Sequence, residues 1–361
     1  MILNKDKNIV VNKNITYFLN PDYIYVPASK IYVKEKDYIY KNEVVADTNT
    51  SSVSGVVLGV KKCNVMGGRK SCIVIQNDYR EYFKEKGKKL KLSIINMLKL
   101  LENDKVLFDK FKSSKSFDNI VVYAIDDNPY LYNEVFLLKE NINDVLYFYD
   151  KLLNLYKCRN NMLVLKNTEK NIIDDCLNVI GSYPEINLSL VNDEYLLSRP
   201  AFLNKYLNLK KNTLYLKVSE LIKIYNLFKN VVSTTKLITI SGDATGESKV
   251  IRIKINTSLK DVINKYIDIK NENYECIING LMTGFKIDDI DNFILTKDVD
   301  VVNIMVKKEV ITNACIRCAR CINICPCGVN IKAKKNMEKC IDCGLCSYVC
   351  PCYINLKERI K

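Results

Sequence analysis

The chain contains no histidine among its 361 residues. Because imidazole is the usual proton carrier near neutral pH and a frequent ligand of zinc and non-haem iron, its absence excludes His-based acid–base catalysis, Cys–His zinc sites and two-His iron sites. The sequence also lacks any apolar run approaching the roughly 18–20 residues that span a bilayer. Residues 1–7 contain no uninterrupted apolar stretch like that of a secretory signal, so we expect a cytoplasmic protein with no transmembrane segment of its own.

Acidic residues are outnumbered by basic ones, 41 to 55, which gives a formal charge of +14. The lysines are spread along the chain rather than clustered, so we interpret them as a solvated surface and do not expect nucleic-acid binding. The length and the 48% hydrophobic content predict two or three domains with real cores.

Cysteine is abundant instead, and ten of the fifteen cysteines lie between Cys315 and Cys352 in two copies of one pattern. In each copy two residues separate the first three cysteines, three residues precede the fourth, and a proline follows. This is the spacing of bacterial two-cluster ferredoxins, in which the fourth cysteine of one run ligates the other cluster. We therefore predict two [4Fe–4S] clusters, the first on Cys315, Cys318, Cys321 and Cys350, and the second on Cys340, Cys343, Cys346 and Cys325.

Zinc ribbons and a disulfide framework are the structural alternatives. Zinc sites typically place cysteines in separated pairs, and disulfides do not persist in the cytosol, so both are disfavoured. Cys327 and Cys352 exceed the eight ligands; we interpret them as small packing residues, with weak hydrogen bonding to cluster sulfur as the alternative. The remaining cysteines have no ligand spacing and are predicted to be buried small hydrophobic residues: Cys63, Cys72, Cys158, Cys176 and Cys276.

The upstream part of the chain shows three patterns. Residues 26–46 alternate as strands do and 54–60 resume the alternation, which looks like a biotinyl/lipoyl-type β-sandwich. Its loop, residues 48–52, contains no carrier lysine, so we favour a structural or docking role over a swinging arm.

From about residue 91 helices alternate with strands. Residues 92–111 and 142–156 have helical spacing, whereas 120–125 and 162–165 are apolar strands, and this order predicts a parallel sheet. The segment after the first of these strands contains four candidate cofactor-binding residues, Asp126, Asp127, Asn128 and Tyr130. The carboxyl ends of parallel strands are where ligands bind, although the same segment is equally an acidic turn.

A third pattern begins near residue 219. Strands are predicted at 237–243, 249–255 and 276–278, with a helix opened by a capping-box variant of Ser258 and Asp261 and ending at Tyr266. This order fits a small β-grasp-like domain.

The order of these parts resembles the RnfC family, the peripheral cluster-bearing subunit of the sodium- or proton-pumping ferredoxin:NAD oxidoreductase complex. The resemblance rests on Ser54-Gly55, Asn128-Pro129-Tyr130, Ser241-Gly242-Asp243 with Gly246, the stretch 278–284 before Thr296-Lys297, and the eight cluster cysteines. It implies an α+β multidomain fold. The implied domains are a lipoyl-like β domain over 1–85, a Rossmann-like α/β domain resembling the flavin-carrying complex I subunit over 86–215, an SLBB-like β-grasp over 216–307 and a two-cluster ferredoxin domain over 308–361.

The chain departs from this family where the resemblance implies a glycine-rich loop for flavin and nicotinamide phosphates. Here no glycine occurs between Gly87 and Gly181. The Tyr-Pro-x-Gly element expected downstream appears as Leu197-Ser198-Arg199-Pro200. Because a bulky, charged loop cannot bring backbone N–H groups close to a pyrophosphate, we expect FMN and NADH binding to be impaired or lost.

The resemblance implies an electron-transfer subunit of a ferredoxin/NAD-linked complex, working with other subunits of a membrane electron-transport complex or with a ferredoxin/flavodoxin-type partner. The expected place is the cytoplasm, or the inner face of the cell membrane through partner subunits. Two alternatives remain: an NADH-dependent flavoprotein or cobalamin reductase of the same architecture, which needs a working nucleotide loop, and a non-catalytic scaffold with structural clusters.

Overall fold

The computed structural model describes residues 11–47, 49–83, 90–113, 116–126, 128–158, 160–209, 212–307 and 314–357. Across these ranges the protein is a mixed α/β molecule with several separate sheets. The predicted combination of α and β structure is therefore confirmed at that level.

The first part of the chain is β-structure, with strands β1 (Val11–Phe18), β2 (Tyr23–Pro27), β3 (Tyr38–Ile39), β4 (Gly55–Val65) and β5 (Gly68–Asn77). Strands β2-β5-β4-β3 form an antiparallel sheet in that order around a core that includes Ile24, Val26 and Ile73. The continuous alternation expected over 26–46 is wrong: only two short strands form there. Positive φ angles at Lys36 (71°) and Asn42 (68°) turn the chain on either side of β3.

The next part contains the predicted parallel sheet, in the order β8-β7-β6-β9. Its elements are α1 (Ile94–Leu101), α2 (Lys105–Lys112), β6 (Asn119–Tyr123), α3 (Asn133–Tyr156), β7 (Asn160–Lys166), α4 (Lys170–Ile180), β8 (Asn187–Val191), a 3-10 turn (Tyr195–Ser198), α5 (Pro200–Leu207), β9 (Thr213–Lys217) and α6 (Val218–Phe228).

Two helix boundaries in this part differ from the sequence prediction. The helix expected over 92–111 is two helices, because the Asp104 carboxylate accepts a hydrogen bond from the Leu107 N–H at 3.2 Å and starts α2 anew. The helix expected to start at 142 begins at Asn133 and continues through a kink at Asn141, where φ is −125°.

The third part is a mixed sheet in the order β1-β11-β10-β16-β13-β14. The elements of this part of the chain are β10 (Thr235–Ser241), β11 (Ser248–Lys254), β12 (Thr257–Ser258), α7 (Leu259–Tyr266), β13 (Tyr274–Ile278), β14 (Phe285–Ile287), β15 (Ile294–Leu295) and β16 (Val301–Val306). Strands β12 and β15 form a separate two-stranded sheet. Strand β1 pairs in parallel with β11, so the start of the described chain joins this sheet and not the one formed by β2–β5. Helix α7 is where we expected it, but the Ser258 side chain makes no capping hydrogen bond.

The cysteine-rich end contains two one-turn helices, α8 (Arg320–Asn323) and α9 (Leu345–Tyr348), and a 3-10 turn at Met337–Lys339. None of the helices in the described ranges is long and apolar enough to cross a membrane.

Candidate metal centre

The two cysteine runs adopt the same local backbone. The N–H of Arg317 points at the Cys315 sulfur at 3.4 Å, and the N–H of Asp342, in the equivalent position, points at the Cys340 sulfur at 3.4 Å. Each run then passes through a residue of left-handed conformation into its short helix: Ala319 (φ 59°) before α8, and Gly344 (φ 77°) before α9. N–H groups aimed at sulfur stabilise thiolates and tune clusters, which is what the repeated spacing predicts.

The second predicted ligand set comes together at one cavity. Its wall contains all four of these cysteines, Cys325, Cys340, Cys343 and Cys346, although Cys325 belongs to the other run. Cys321, predicted for the first set, and Cys327 also line it. Val329, Ile331 and Leu345 add an apolar lining. Four thiols that converge from two runs in an apolar setting are a donor set suited to a [4Fe–4S] cluster.

The thiols that influence the pKa of Cys321 belong to the first predicted ligand set, and those that influence the pKa of Cys343 belong to the second. Burial raises the pKa of Cys321, and the Cys315 and Cys318 thiols raise it further. Burial likewise raises the pKa of Cys343, with Cys325 and Cys340 as its thiol neighbours.

The two sets differ in exposure. Cys315 and Cys318 are exposed, whereas Cys343 is buried. Cys350, predicted for the first set, packs with Cys321 of that set and with Cys346 of the second around Ile354 and Leu356. The first set is therefore the one nearer to solvent.

The donors are not spaced for a mononuclear ion. In the described ranges no group of three or more Cys, Asp or Glu side chains is arranged to hold a single metal ion. Thiolates around a cubane stand further apart than the four around one zinc ion, whose Zn–S bonds are about 2.3 Å.

The other cysteines lie where they were expected. Cys352 is buried against Ile354 and Leu356, as expected of a packing residue. Cys327 is half-buried and lines the cavity of the second ligand set. The five scattered cysteines are all buried, as predicted: Cys63, Cys72, Cys158, Cys176 and Cys276. Burial raises the pKa of Cys72 to about 12 and that of Cys158 to about 11, so these thiols stay protonated and unreactive near neutral pH.

The candidate residues after β6 take part in internal packing. The buried Asp126 carboxylate accepts a hydrogen bond from the Glu134 N–H at 3.1 Å. Burial, and then the nearby Glu134 carboxylate, raises the pKa of Asp126 well above its usual value. Tyr130 is buried with a φ of 60°, and its carbonyl accepts a hydrogen bond from Ser241 Oγ at 2.9 Å. Asp127 lies outside the described residues.

Asn128 lies against the loop between β13 and β14. Gly280 there has a φ of 92°, and a Cβ on it would stand 2.3 Å from Asn128 Cγ. The structure therefore joins two motifs that the sequence analysis treated separately, the Asn-Pro-Tyr turn and the 278–284 stretch, at one interface.

Gly280→Ala is expected to lower the free energy of unfolding by about 2–3 kcal/mol, because the new methyl group overpacks this contact and the backbone is left-handed. Gly181→Ala is the matched control, since Gly181 has an ordinary φ of −57° and open space around its Cβ position. Denaturant unfolding of both variants checks this. Equal stability of the two would contradict the packing assigned to Asn128.

Sequence reasoning did not find the side chains that hold the second run in place. Tyr195 and Arg199 reach its backbone carbonyls, and Gly344 lies against the Met282 carbonyl. The only signal in the sequence is the unexpected Leu197-Ser198-Arg199-Pro200 segment.

No protein-family model matches the chain. Among curated proteins it is 34% identical over 98 residues to the C component of the proton-translocating ferredoxin:NAD(+) oxidoreductase complex of Clostridium ljungdahlii, a match covering 26% of this chain and 21% of that protein. It is 32% identical over 92 residues to the C component of the ion-translocating oxidoreductase complex of Methanosarcina acetivorans, covering 25% and 20%. The match thus spans about a fifth of the length of these relatives.

Among solved structures, the chain is similar to an NAD+-reducing [NiFe]-hydrogenase in the H2-reduced state. The TM-score is 0.48 at 10% identity, over 59% of this chain and 47% of that one. The air-oxidised state gives a TM-score of 0.44 at 12% identity, over 64% and 53%.

Proposed function

Since this chain is a divergent, RnfC-like protein, we propose that it is an electron-transfer subunit with two [4Fe–4S] clusters at its C-terminal end. The observation that carries the proposal is the convergence of Cys325 from the first run with Cys340, Cys343 and Cys346 from the second at one apolar cavity. When bound, each cluster supplies one-electron redox chemistry.

In this function the protein residues bind the clusters and set their surroundings. The eight cysteines provide thiolates, and the backbone N–H groups of Arg317 and Asp342 donate to two of the sulfurs. Val329, Ile331 and Leu345 give the cavity an apolar lining, which favours a cluster in a low-dielectric setting. One-electron transfer requires no proton carrier, so the absence of histidine is compatible with it.

We assign the finer architecture as a part of the same proposal. The sequence bounds are 1–85 for a lipoyl-like domain, 86–215 for a Rossmann-like domain, 216–307 for an SLBB-like β-grasp and 308–361 for a two-cluster ferredoxin domain. Two of these bounds shift: β1 pairs with β11 of the third part, and β9 and α6 belong with the parallel sheet, which extends the second domain to about residue 228. The antiparallel sheet of β2–β5 and the parallel sheet of β6–β9 support the first two assignments. The paired one-turn helices α8 and α9 support the last.

The partners are proposed to be other subunits of a membrane electron-transport complex, on its cytoplasmic side, or a ferredoxin/flavodoxin-type protein. Both curated relatives are named as subunits of oxidoreductase complexes, and that is the support for this part of the proposal.

The carboxyl edge of the parallel sheet does not fit FMN or NADH. A nucleotide phosphate is bound by backbone N–H groups at a helix N-terminus. Here the Glu134 carboxylate already accepts from the N–H and the Oγ of Ser219 in the first turn of α6, at 2.9 and 2.5 Å. Asp126 lies buried beside Glu134. The Glu134 carboxylate thus occupies the N–H group that a phosphate would need. This supports the proposal that the chain does not bind flavin or NADH itself.

One spectroscopic experiment tests both parts. The visible absorption of anaerobically purified protein is followed as NADH and FMN are added, and then dithionite. We expect dithionite alone to bleach the cluster absorption. Bleaching by NADH would restore the NADH-dependent reductase alternative. Clusters that resist both dithionite and reduced ferredoxin would favour the scaffold alternative, and protein without cluster absorption or acid-labile sulfide would overturn the function.

A further inference from the structure

We propose that Arg199 raises the reduction potential of the second cluster by placing a permanent positive charge beside it. This inference rests on the proposed function, because it concerns the cluster assigned to Cys325, Cys340, Cys343 and Cys346. It adds a residue outside the cysteine runs, from the parallel-sheet part of the chain, to the electrostatics of that site.

Arg199 is held by the backbone next to the ligands. It lies between the 3-10 turn at Tyr195–Ser198 and helix α5, and its Nη1 donates a hydrogen bond to the Ile341 carbonyl at 2.6 Å. From the same turn, the Tyr195 hydroxyl donates to the Cys343 carbonyl at 2.8 Å. Both acceptors belong to the segment between Cys340 and Cys343, so this turn fixes the loop that carries two ligands.

The charge of Arg199 lies next to the segment that carries the ligands. Its Nη1 donates to the carbonyl of Ile341, the residue directly after Cys340 and two residues before Cys343. Its acceptor at Ile341 is a neutral carbonyl, so this contact does not cancel the charge. The charged groups that line the cavity, Asp342 and Lys357, form an ion pair at 3.4 Å and largely offset each other.

The effect on the potential follows from charge. Reduction adds one negative charge to a cluster, and a nearby cation stabilises the reduced form more than the oxidised form. Arginine keeps its charge at every pH at which the protein is folded. Cys343 is buried whereas Cys315 and Cys318 are exposed, so water screens a charge less at the second set than at the first.

The family resemblance predicts a Tyr-Pro-x-Gly element here, and the sequence instead has Leu197-Ser198-Arg199-Pro200. In this segment Arg199 supplies a cation that donates to the backbone of the cysteine-rich end.

The test uses the full chain with both clusters bound, in redox titrations followed by electron paramagnetic resonance. Arg199→Gln keeps a hydrogen-bond donor and removes the charge, Arg199→Lys keeps the charge, and Tyr195→Phe removes the neighbouring hydrogen bond without changing charge. We expect Arg199→Gln to lower one of the two midpoint potentials, with about a tenfold fall in the reduced-to-oxidised ratio, equivalent to about 59 mV for one electron. Arg199→Lys should retain most of the wild-type value, and Tyr195→Phe should shift it less than Arg199→Gln.

The outcomes separate this inference from the function on which it rests. Wild-type protein without two reducible clusters would refute the function itself. Two intact clusters with both midpoints unchanged in Arg199→Gln would overturn the inference alone, as would an equal shift in Arg199→Lys. If Arg199→Gln loses iron, retention of iron in Arg199→Lys supports the charge effect, and loss in both overturns it. The shift should also survive in Cys318→Ala, which keeps the second ligand set; its absence there would overturn the assignment to that cluster.

Discussion

Cys325→Ser is expected to lower the iron content from about eight to about four atoms per chain, whereas Cys327→Ser leaves it unchanged. The two residues are two positions apart and line the same cavity, so they form a matched pair. Only Cys325 is predicted to be a ligand, and its sulfur accepts a hydrogen bond from the Val329 N–H at 3.3 Å. Iron and acid-labile sulfide per chain, measured under anaerobic conditions, check this. Equal iron loss in the two variants would refute the distinction.

Double variants test the exchange of ligands between the runs. Cys325→Ser combined with Cys343→Ser should lose no more iron than either change alone, because both residues serve the second cluster. Cys325→Ser combined with Cys318→Ala should lose nearly all the iron, because each change removes a different cluster. The reverse result would mean that each run holds its own cluster, contrary to the arrangement at the cavity.

Gly344→Ala is expected to destabilise the cysteine-rich end by about 3 kcal/mol, as overpacking at a contact that cannot relax does. A Cβ at Gly344 would stand 1.8 Å from the Met282 carbonyl oxygen, which is backbone of the loop between β13 and β14. The second run would have to leave this loop, and with it the contacts of Tyr195 and Arg199. Iron release on stepwise heating of the anaerobic protein measures the effect.

Gly328 and Ala319 show whether the Met282 contact or the left-handed backbone causes the destabilisation. Gly328→Ala is the control variant, since Gly328 also has a positive φ, 64°, but open space around its Cβ position. The first run already contains alanine in the equivalent place, at Ala319 with a φ of 59°. The left-handed backbone therefore tolerates alanine there. If Gly328→Ala releases iron as early as Gly344→Ala, the Met282 contact is not the cause.

The larger elements could be predicted from the residues alone, and the cluster ligands stay a prediction made from the same source. Ligand spacing in a short segment is a local property, so the two runs and their shared backbone conformation could be predicted without the fold. The alternation of apolar strands and helical segments likewise predicted the parallel sheet. The predicted helix boundaries were less accurate. The Asp104 cap divides the helix expected over 92–111, and α3 begins at Asn133 instead of residue 142.

Which distant groups meet depends on the packing of the layers. Strand β1 pairs with β11, the Glu134 carboxylate accepts a hydrogen bond from the Ser219 N–H, and Asn128 packs on Gly280. Arg199, more than a hundred residues before the cysteine runs, places its charge at Ile341 and Cys343. Such contacts join residues far apart in the chain, and no local pattern encodes them. Spacing alone therefore predicted which residues hold iron, whereas the charge and burial that set each site's environment required the fold.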